Sequence, residues 1–217
     1  MDCLENRWKI WHGQQDFGYQ YQGGEEMIDS KEKFKYYLKQ DKLALGKAAD
    51  EKPKLFGDET WKFEILLRKI EYYTNCKKGI LATVIRKFYK FRFHRMSIRL
   101  GFIISPNVFE EGLAIPHYGM LGVHANAKIG KNCRLLEGVV IMADGGSHDA
   151  AVVGDNCFFG IGAKVVGAVR IADDVAVGAG AVVTKDILEA GTTWAGVPAR
   201  KISDHNSHSN LSKALFQ

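Results

Sequence analysis

Apolar residues recur at every sixth position through the second half of the chain, from about 117 to 184. A period of six matches neither the 3.6-residue period of a helix nor the simple alternation of a half-buried strand. It is typical of a parallel β-helix, in which short strands stack coil upon coil and each repeat buries an apolar side chain. The main slot holds Ile129, Leu135, Ile141, Val153, Phe159, Val165, Ile171, Val177 and Val183, and the slot two residues earlier holds Ala127, Cys133, Val139, Ala151, Cys157, Ala163, Val169, Val175 and Ala181.

The repeat is irregular at its start and breaks once in the middle. Residues 101–126 hold the first, imperfect coils, and the clean register begins at Ala127. The polar, glycine-bearing segment 143–150 cannot be buried, so we expect it to leave the β-helix as a loop. We predict that the β-helix spans residues 101–203 and that residues 204–217 form a polar, frayed tail.

The first hundred residues show helical rather than six-residue periodicity. The pattern predicts three helices, at about 30–45, 58–75 and 80–99, which form a small helical domain over 29–100. Asp29 has the spacing of a helix cap for the first of them. In the third helix we expect an inward apolar stripe made of Ile80, Val84, Phe88, Phe91 and Ile98. Residues 1–28 lack periodicity, and we expect a loosely ordered lead-in. The fold class is therefore α+β, helices first and β-helix second.

Bulk composition indicates an ordinary folded domain. The chain has 217 residues, of which 46% are hydrophobic and 25% charged. No apolar run reaches the ~18 residues of a membrane-spanning helix, and the N-terminus lacks the basic-then-apolar pattern of an export signal. The four cysteines have no paired or metal-binding spacing. We therefore expect a cytoplasmic protein.

The net charge of +5 is concentrated in one segment. Residues 77–99 contain eight lysines and arginines and no acidic residue. A basic helix of this kind can contact an anionic membrane or nucleic acid. No nucleic-acid-binding motif accompanies it, and the simpler interpretation is the solvated face of a packed helix.

Three segments resemble the hexapeptide acyltransferases, and within them the serine acetyltransferase branch with its short relatives from surface-polysaccharide gene clusters. They are Gly160-Ile-Gly-Ala-Lys-Val-Val-Gly167, Val177-Gly-Ala-Gly-Ala-Val-Val-Thr-Lys185 and Ala195-Gly-Val-Pro-Ala-Arg200. The resemblance covers roughly residues 27–203. It implies a left-handed β-helix, a homotrimer with active sites between subunits, a possible dimer of trimers, and acetyl-CoA as co-substrate.

The resemblance assigns the catalytic base to His117, in Ile-Pro-His-Tyr-Gly. An imidazole suits this role near neutral pH, because it can take a proton from a hydroxyl acceptor and return it to the leaving thiolate. The chain departs from the serine enzymes at Pro116, where they carry an aspartate, and at Ala150, where they carry a second histidine. His148, Asp144 and Glu111 are the candidate acceptor-binding residues. Glu110, Glu111 or a backbone carbonyl is expected to orient His117.

Small residues and cations in the later coils are the candidate CoA-binding residues. Small residues let a pantetheine arm approach the backbone, and cations pair with phosphates. Tight corners of the β-helix also account for most of these glycines. The predicted set is Gly160, Gly162, Ala163, Lys164, Gly178, Ala179, Lys185, Pro198 and Arg200, with Trp194 as an alternative to Pro198 beside the adenine.

The sequence supports three functional hypotheses. The first is an O-acetyltransferase that acts on a small hydroxyl acceptor, either serine or a sugar, with no bound metal. The second is an acetyltransferase that acts on an amino sugar or a xenobiotic with the same base. The third is a non-catalytic or metal-binding hexapeptide scaffold, for which His117, His124 and His148 are the available ligands.

Overall fold

A computed structural model describes residues 27–216, so nearly all of the predicted lead-in lies outside the described residues. Three helices come first: α1 (Lys31–Ala44), α2 (Glu59–Asn75) and α3 (Ile80–Leu100). Ser30, not Asp29, caps α1, because the extended backbone at Ser30 lets its hydroxyl accept a hydrogen bond from Lys33 N at 3.1 Å. The predicted helices are confirmed, and the predicted cap was wrong by one residue.

Thirteen short strands follow in the described part of the chain and form three sheets. One sheet has the order β1-β2-β5-β8-β11, the second β4-β7-β10-β12-β13, and the third β3-β6-β9. All pairs are parallel except β12 with β13. The strands are β1 (Phe102–Ile103), β2 (Leu121–Val123), β3 (Lys128–Ile129), β4 (Arg134–Leu135), β5 (Val140–Met142), β6 (Val152–Val153), β7 (Phe158–Phe159), β8 (Lys164–Val166), β9 (Arg170–Ile171), β10 (Ala176–Val177), β11 (Val182–Val183), β12 (Thr193–Ala195) and β13 (Arg200–Ser203).

Each coil of this parallel β-helix takes three hexapeptides. The hydrogen bond from Asp155 N to Asp173 Oδ1 joins residues 18 positions apart on neighbouring coils. The bond from Lys131 N to Asp155 Oδ1 spans 24 positions. The longer coil contains segment 143–150, in which residues 144–149 are exposed and form no strand, so the predicted loop is confirmed.

The two predicted apolar slots of the repeat form the core of the β-helix. All nine residues of the main slot are at most 3% exposed, and those of the second slot are also buried. The core continues beyond the repeat, because Phe63 and Leu67 of α2 and Leu100 of α3 belong to the same buried cluster. The helices and the first coils therefore share one core.

The predicted inward stripe of α3 is exposed instead. Ile80, Val84 and Phe88 are 88%, 59% and 55% exposed, and Phe91 and Ile98 also face solvent. The helix packs through the opposite side, where Phe93 and Met96 contact the core. Because α3 is apolar on two opposite sides, its periodicity alone could not identify the buried one. None of the helices in residues 27–216 is long and apolar enough to cross a bilayer.

A ladder of two side-chain amides and one carboxylate runs along one edge of the β-helix. Asn132, Asn156 and Asp174 all have positive φ, a conformation that Asn and Asp tolerate better than most residues. Asn132 Nδ2 donates to Asn156 Oδ1 at 2.9 Å, and Asn156 Nδ2 donates to Asp174 Oδ1 at 3.0 Å. These bonds link three successive coils at the turns where the chain direction changes.

The C-terminal segment packs against the β-helix, and the expectation of a frayed tail was wrong. Ser207 is fully buried, and its backbone N–H donates to Asp174 O at 3.1 Å. His208 Nε2 lies 2.7 Å from Asp174 Oδ1, and Leu211 is buried. The polar composition did not predict this packing, because the segment is held mainly by specific hydrogen bonds and by the one buried apolar residue Leu211.

A buried ion pair joins the helices to the first coil. Arg68 on α2 is fully buried and donates to both carboxylate oxygens of Asp41 on α1, at 2.8 and 3.1 Å. It also donates to Glu71 and to the carbonyl oxygens of Phe109 and Glu110. Burial opposes the charge, but the carboxylates of Asp41 and Glu71 outweigh it and raise the pKa of Arg68. Protein groups, and not solvent, therefore balance the charge of the buried Arg68 guanidinium.

Replacing Arg68 is expected to destabilise the fold strongly. In Arg68→Met the buried Asp41 carboxylate loses its counter-charge, and we expect the free energy of unfolding to fall by about 3–5 kcal/mol. Lys62→Met on the same helix removes a partly exposed pair with Glu59 and should change the free energy of unfolding by less than about 1 kcal/mol. Urea unfolding of both variants makes the comparison. Equal effects of the two substitutions would contradict this account of Arg68.

Candidate active site

The three sheets make the β-helix a three-sided prism, and its turns stack into three edges. The His117 edge comprises residues 116–120, 137–138, 161–162 and 179–180. The loop edge comprises residues 124–126, 143–150, 167–168 and 184–186. The asparagine edge comprises residues 131–132, 155–156 and 173–174. Hydrogen bonds between coils hold each edge in register, such as Gly162 N to Glu137 O at 2.9 Å and Gly180 N to Ile161 O at 2.8 Å.

His117 lies on an exposed turn at the first coil of its edge. The turn between Ala114 and Gly122 contains more residues than the equivalent turn between Arg134 and Val140 one coil later. The extra length lets His117 and Tyr118 project, and both are exposed. No hydrogen bond fixes the His117 imidazole within residues 27–216 of a single chain. An accessible imidazole of this kind is available to a substrate.

The backbone around this turn is held from two sides. Gly119 N donates to Leu100 O at the end of α3 at 3.0 Å. Ile115 N donates to Glu64 Oε1 on α2 at 2.7 Å. Gly112 N and Leu113 N both donate to Asp41 Oδ1. The helices therefore fix the segment that leads into His117, although the imidazole itself is exposed.

Glycines line the His117 edge as it continues toward the C-terminus. Gly138, Gly162 and Gly180 have φ of +80°, +70° and +67°, which L side chains rarely adopt. A Cβ at Gly162 or Gly180 would meet no atom within 4 Å, so these turns border open space. Ala179 on the same edge is exposed. The result is a strip of accessible backbone that begins at the turn of His117.

Coil packing accounts for three of the other small residues. A Cβ at Gly160 would lie 2.7 Å from Ala179 N, and one at Gly178 would lie 3.1 Å from Ala195 Cβ. Ala163 is fully buried and faces the core. The tight stacking of coils therefore requires small residues at these positions without any ligand, and the Ala163 side chain faces away from the surface.

The predicted cations lie on different parts of the prism. Lys164 is exposed on the face that joins the His117 edge to the loop edge, and its Nζ donates to Gly162 O at 3.1 Å. Ala199 N donates to Val182 O at 2.8 Å, which places Pro198 and Arg200 beside β11. Both residues are exposed. Lys185 is exposed on the loop edge. Trp194 is partly buried, and its ring N–H donates to Thr192 Oγ1.

The loop edge carries the other predicted acceptor-side residues. Asp144 and His148 are exposed on the loop, and Asp144 Cβ lies next to Gly167. Asn126 Nδ2 donates to His148 O at 2.9 Å, and His124 Nδ1 accepts from Asn126 N at 3.2 Å. His148 and His117 therefore lie on different edges, and one chain does not bring them together.

Glu111 lies away from the His117 edge. Its side chain is buried, and its Oε1 lies 3.5 Å from Lys131 Nζ, near the asparagine edge. Sequence proximity to His117 was misleading, because a few residues are enough to carry the chain around one face of the prism. Within one chain, Glu111 does not contact the exposed imidazole.

Glu137 is a carboxylate of the His117 edge that the sequence reasoning missed. It lies one coil after the His117 turn, and a Cβ at Gly119 would be 3.4 Å from Glu137 Cβ. Glu137 Oε2 is buried and makes no hydrogen bond to any described residue. The offset of one coil was the available signal, since Glu137 follows Leu135 as His117 follows Ile115.

The three histidines of the scaffold hypothesis are not clustered in one chain. Over residues 27–216, no group of three His, Cys, Asp or Glu side chains is arranged to hold a metal ion. His117 lies on one edge, whereas His124 and His148 lie on another.

Comparisons with known proteins identify the repeat. Residues 150–185 match the family described as bacterial transferase hexapeptide (six repeats). The bifunctional protein GlmU of Listeria monocytogenes serovar 1/2a is 30% identical over 107 residues, which are 49% of this chain and 23% of that protein. The chain therefore spans about a quarter of the length of this relative. The family match is therefore limited to residues 150–185, the most regular coils of the β-helix.

Solved structures extend the similarity to the helices. A serine acetyltransferase from Brucella abortus strain S19 aligns with a TM-score of 0.63 and 19% identity, over 82% of this chain and 72% of that one. Its complex with coenzyme A aligns with a TM-score of 0.61 and 20% identity, over 81% and 70% of the two chains. At this level of identity the similarity establishes a shared fold of helices followed by a β-helix.

The buried carboxyl of Glu64 predicts a distinctive pH dependence of stability. Burial, and then the charge of Asp41, raise the pKa of Glu64 well above its ordinary value of 4.5. The unfolded chain therefore releases this proton at a lower pH than the folded chain. The contribution of Glu64 to stability is full below its unfolded pKa and is lost as pH rises toward the folded pKa.

Glu64→Gln keeps an acceptor for Ile115 N but cannot titrate. We expect equal free energies of unfolding near pH 4.5, and an advantage of the variant that grows by about 1 kcal/mol per pH unit above that. Urea unfolding between about pH 5 and 8 measures the difference. A difference that stays constant across this range would show that Glu64 does not carry the effect.

Proposed function

We propose that the protein is an acetyl-CoA-dependent O-acetyltransferase that acts on a small hydroxyl acceptor, serine or a sugar. The observation that carries the proposal is the exposed His117 at the start of an edge lined by accessible glycine backbone. The hexapeptide family match and the fold shared with serine acetyltransferases support the same reaction class.

The proposed mechanism is a direct transfer with His117 as the general base. The imidazole accepts the hydroxyl proton of the acceptor while the hydroxyl oxygen attacks the carbonyl carbon of the acetyl thioester. A backbone N–H at this edge stabilises the resulting oxyanion. When the carbon–sulfur bond breaks, the imidazolium returns the proton to the CoA thiolate. The products are an acetyl ester and free CoA, and no acyl-enzyme is needed.

We propose that CoA lies along the His117 edge and the adjoining face. The backbone of Gly162 and Gly180 is open to a pantetheine arm, and Ala179 adds little bulk. Lys164 adds an exposed cation beside Gly162. Arg200 and Pro198 lie further along this face and suit the phosphate and adenine end. A coenzyme A complex of the Brucella serine acetyltransferase supports this choice of ligand.

We propose that the active site is completed between chains of a trimer of left-handed β-helices. One chain carries His117 on one edge and Asp144, His148 and Lys185 on another. If the loop edge of a neighbouring chain faces the His117 edge, both sets of side chains line one groove. This arrangement assigns acceptor binding to the neighbour's loop and makes the monomer inactive. A dimer of trimers is compatible with the same groove.

We further propose that Glu137, not Glu110 or Glu111, positions His117. Serine enzymes carry an aspartate where this chain has Pro116, so another acceptor must hold the imidazole N–H. Glu137 lies on the adjacent coil of the same edge, and its buried Oε2 has no hydrogen-bond partner among the described residues. In this proposal the exposed imidazole turns toward the Glu137 carboxylate, which would give both groups a hydrogen-bond partner.

Substitution of His117 tests the reaction. Thiol release from acetyl-CoA is measured in the presence of L-serine, nucleotide sugars and amino sugars in turn. The acceptor that supports turnover is then used to compare the variants. We expect His117→Ala to lower kcat by about 100-fold or more, the usual contribution of a general base. His205→Ala removes an exposed histidine of the C-terminal segment and should leave kcat unchanged. Full turnover by His117→Ala would contradict the mechanism.

Substitution of Glu137 tests the positioning role. We expect Glu137→Gln to lower kcat about tenfold, with little change in KM for acetyl-CoA. Glu137→Asp should recover part of the rate, and Glu111→Gln should keep the full rate. Failure of Glu137→Asp to recover any rate, or a loss that appears only as a higher KM, would contradict the positioning role.

A further inference from the structure

Helix α3 carries an exposed apolar stripe along nearly its whole length. Ile80, Val84, Phe88 and Phe91 are three or four positions apart, and Ile98 follows seven positions later, so all share one side of the helix. Leu81, at 74% exposure, widens the stripe at its N-terminal end. Most soluble domains expose apolar side chains singly, so a continuous stripe of large ones indicates a contact surface. The α3 stripe consists of Ile80, Leu81, Val84, Phe88, Phe91 and Ile98.

Cations surround the α3 stripe, and carboxylates are absent from this stretch of sequence. From Tyr72 to Phe109 the chain contains no aspartate or glutamate. Arg99 has an acidic partner, since its Nη2 lies 2.8 Å from Glu59 Oε2 at the start of α2. The surface therefore combines apolar side chains with a strong excess of positive charge. The exposed cations of this segment are Lys77, Lys78, Lys87, Lys90, Arg92, Arg95 and Arg99.

The arginines lie close to the exposed rings. The guanidinium of Arg92 lies 5.8 Å from the Phe88 ring centroid, and that of Arg95 lies 6.0 Å from the Phe91 centroid. Long basic side chains of this kind place their aliphatic stems along an apolar surface and extend the charge to its rim. An apolar centre with charges at the rim matches the boundary between acyl chains and lipid headgroups.

The opposite side of α3 is fixed to the protein. Phe93 stacks on Phe63 of α2, with ring centroids 4.8 Å apart, and Leu100 is buried in the shared core. The helix is 21 residues long, about 30 Å at the α-helical rise. The stripe is therefore presented by a rigid element, and no rearrangement of the helix is needed to expose it.

The charge distinguishes among the possible occupants. A second copy packed stripe against stripe would bring the same cations into contact, and Glu59, already paired with Arg99, does not offset the excess of positive charge. Nucleic-acid interfaces are polar and do not require six large apolar side chains. We propose that the α3 stripe docks the protein on an anionic lipid bilayer, with α3 parallel to the membrane plane. This inference is independent of the acetyl-transfer reaction.

Vesicle binding by the purified full chain tests the inference. The protein is mixed with vesicles of phosphatidylcholine alone, or of phosphatidylcholine and phosphatidylglycerol at about 2:1, and bound protein is separated by flotation. We expect binding to the anionic vesicles and at least about tenfold weaker binding to the neutral ones. Raising the salt from about 0.1 M to about 1 M should weaken binding, because it screens the charges.

Paired variants separate the apolar from the electrostatic contribution. We expect Phe88→Gln/Phe91→Gln and Lys90→Glu/Arg95→Glu each to reduce binding to anionic vesicles by about tenfold or more. The matched controls are Tyr36→Gln/Leu188→Gln, which change exposed apolar residues elsewhere, and Lys35→Glu/Lys39→Glu, which reverse two exposed charges on α1. Both controls should bind like the parent protein, and circular dichroism checks that every variant is folded.

Four results would overturn the proposal. The first is absence of binding to anionic vesicles by the folded parent protein. The second is equal loss of binding in the α3 variants and in the controls, which would indicate a nonspecific charge effect. The third is a smaller oligomer for Phe88→Gln/Phe91→Gln in light scattering without vesicle binding by the parent, which would make the stripe a contact between copies. Binding of duplex DNA in place of vesicles would likewise exclude the lipid surface.

Discussion

The buried Arg68 guanidinium is the interaction on which the position of the candidate site depends. It joins Asp41 of α1 to the carbonyl oxygens of Phe109 and Glu110 in the first coil. Asp41 in turn accepts from Gly112 N and Leu113 N. A buried ion pair costs desolvation free energy and contributes little net stability compared with an apolar substitute. The ion pair instead fixes geometry, because it orders the irregular segment 109–113, which lies before the clean repeat.

The sequence predicted the β-helix well because one residue in each repeat has a single physical task. A side chain such as Phe159 must fill the prism interior, and only apolar residues do so. Helix α3 was harder, because its two apolar sides are equivalent by periodicity and only packing with Phe63 distinguishes them. Arg68 and Asp41 are 27 positions apart in sequence, and no local sequence pattern predicts such a contact.

The candidate site was predictable in its residue types but not in its arrangement. The family resemblance pointed to His117 and the structure leaves it accessible, whereas its catalytic role stays a prediction. Neighbours in sequence were poor guides to neighbours in space, since Glu111 lies near another edge and Glu137 lies one coil away on the same one. The division of the chain into a helical domain and a β-helix domain also stays a prediction.

The hydrogen bond from Gly119 N to Leu100 O has a consequence for the geometry of any docked state. It ties the last residue of α3 directly to the turn that carries His117, with no flexible linker between them. The position of this turn relative to α3 is therefore set by the backbone, and only the side chain of His117 remains adjustable. Every molecule bound to a bilayer through α3 would therefore hold the turn of His117 at a similar distance from the lipid surface.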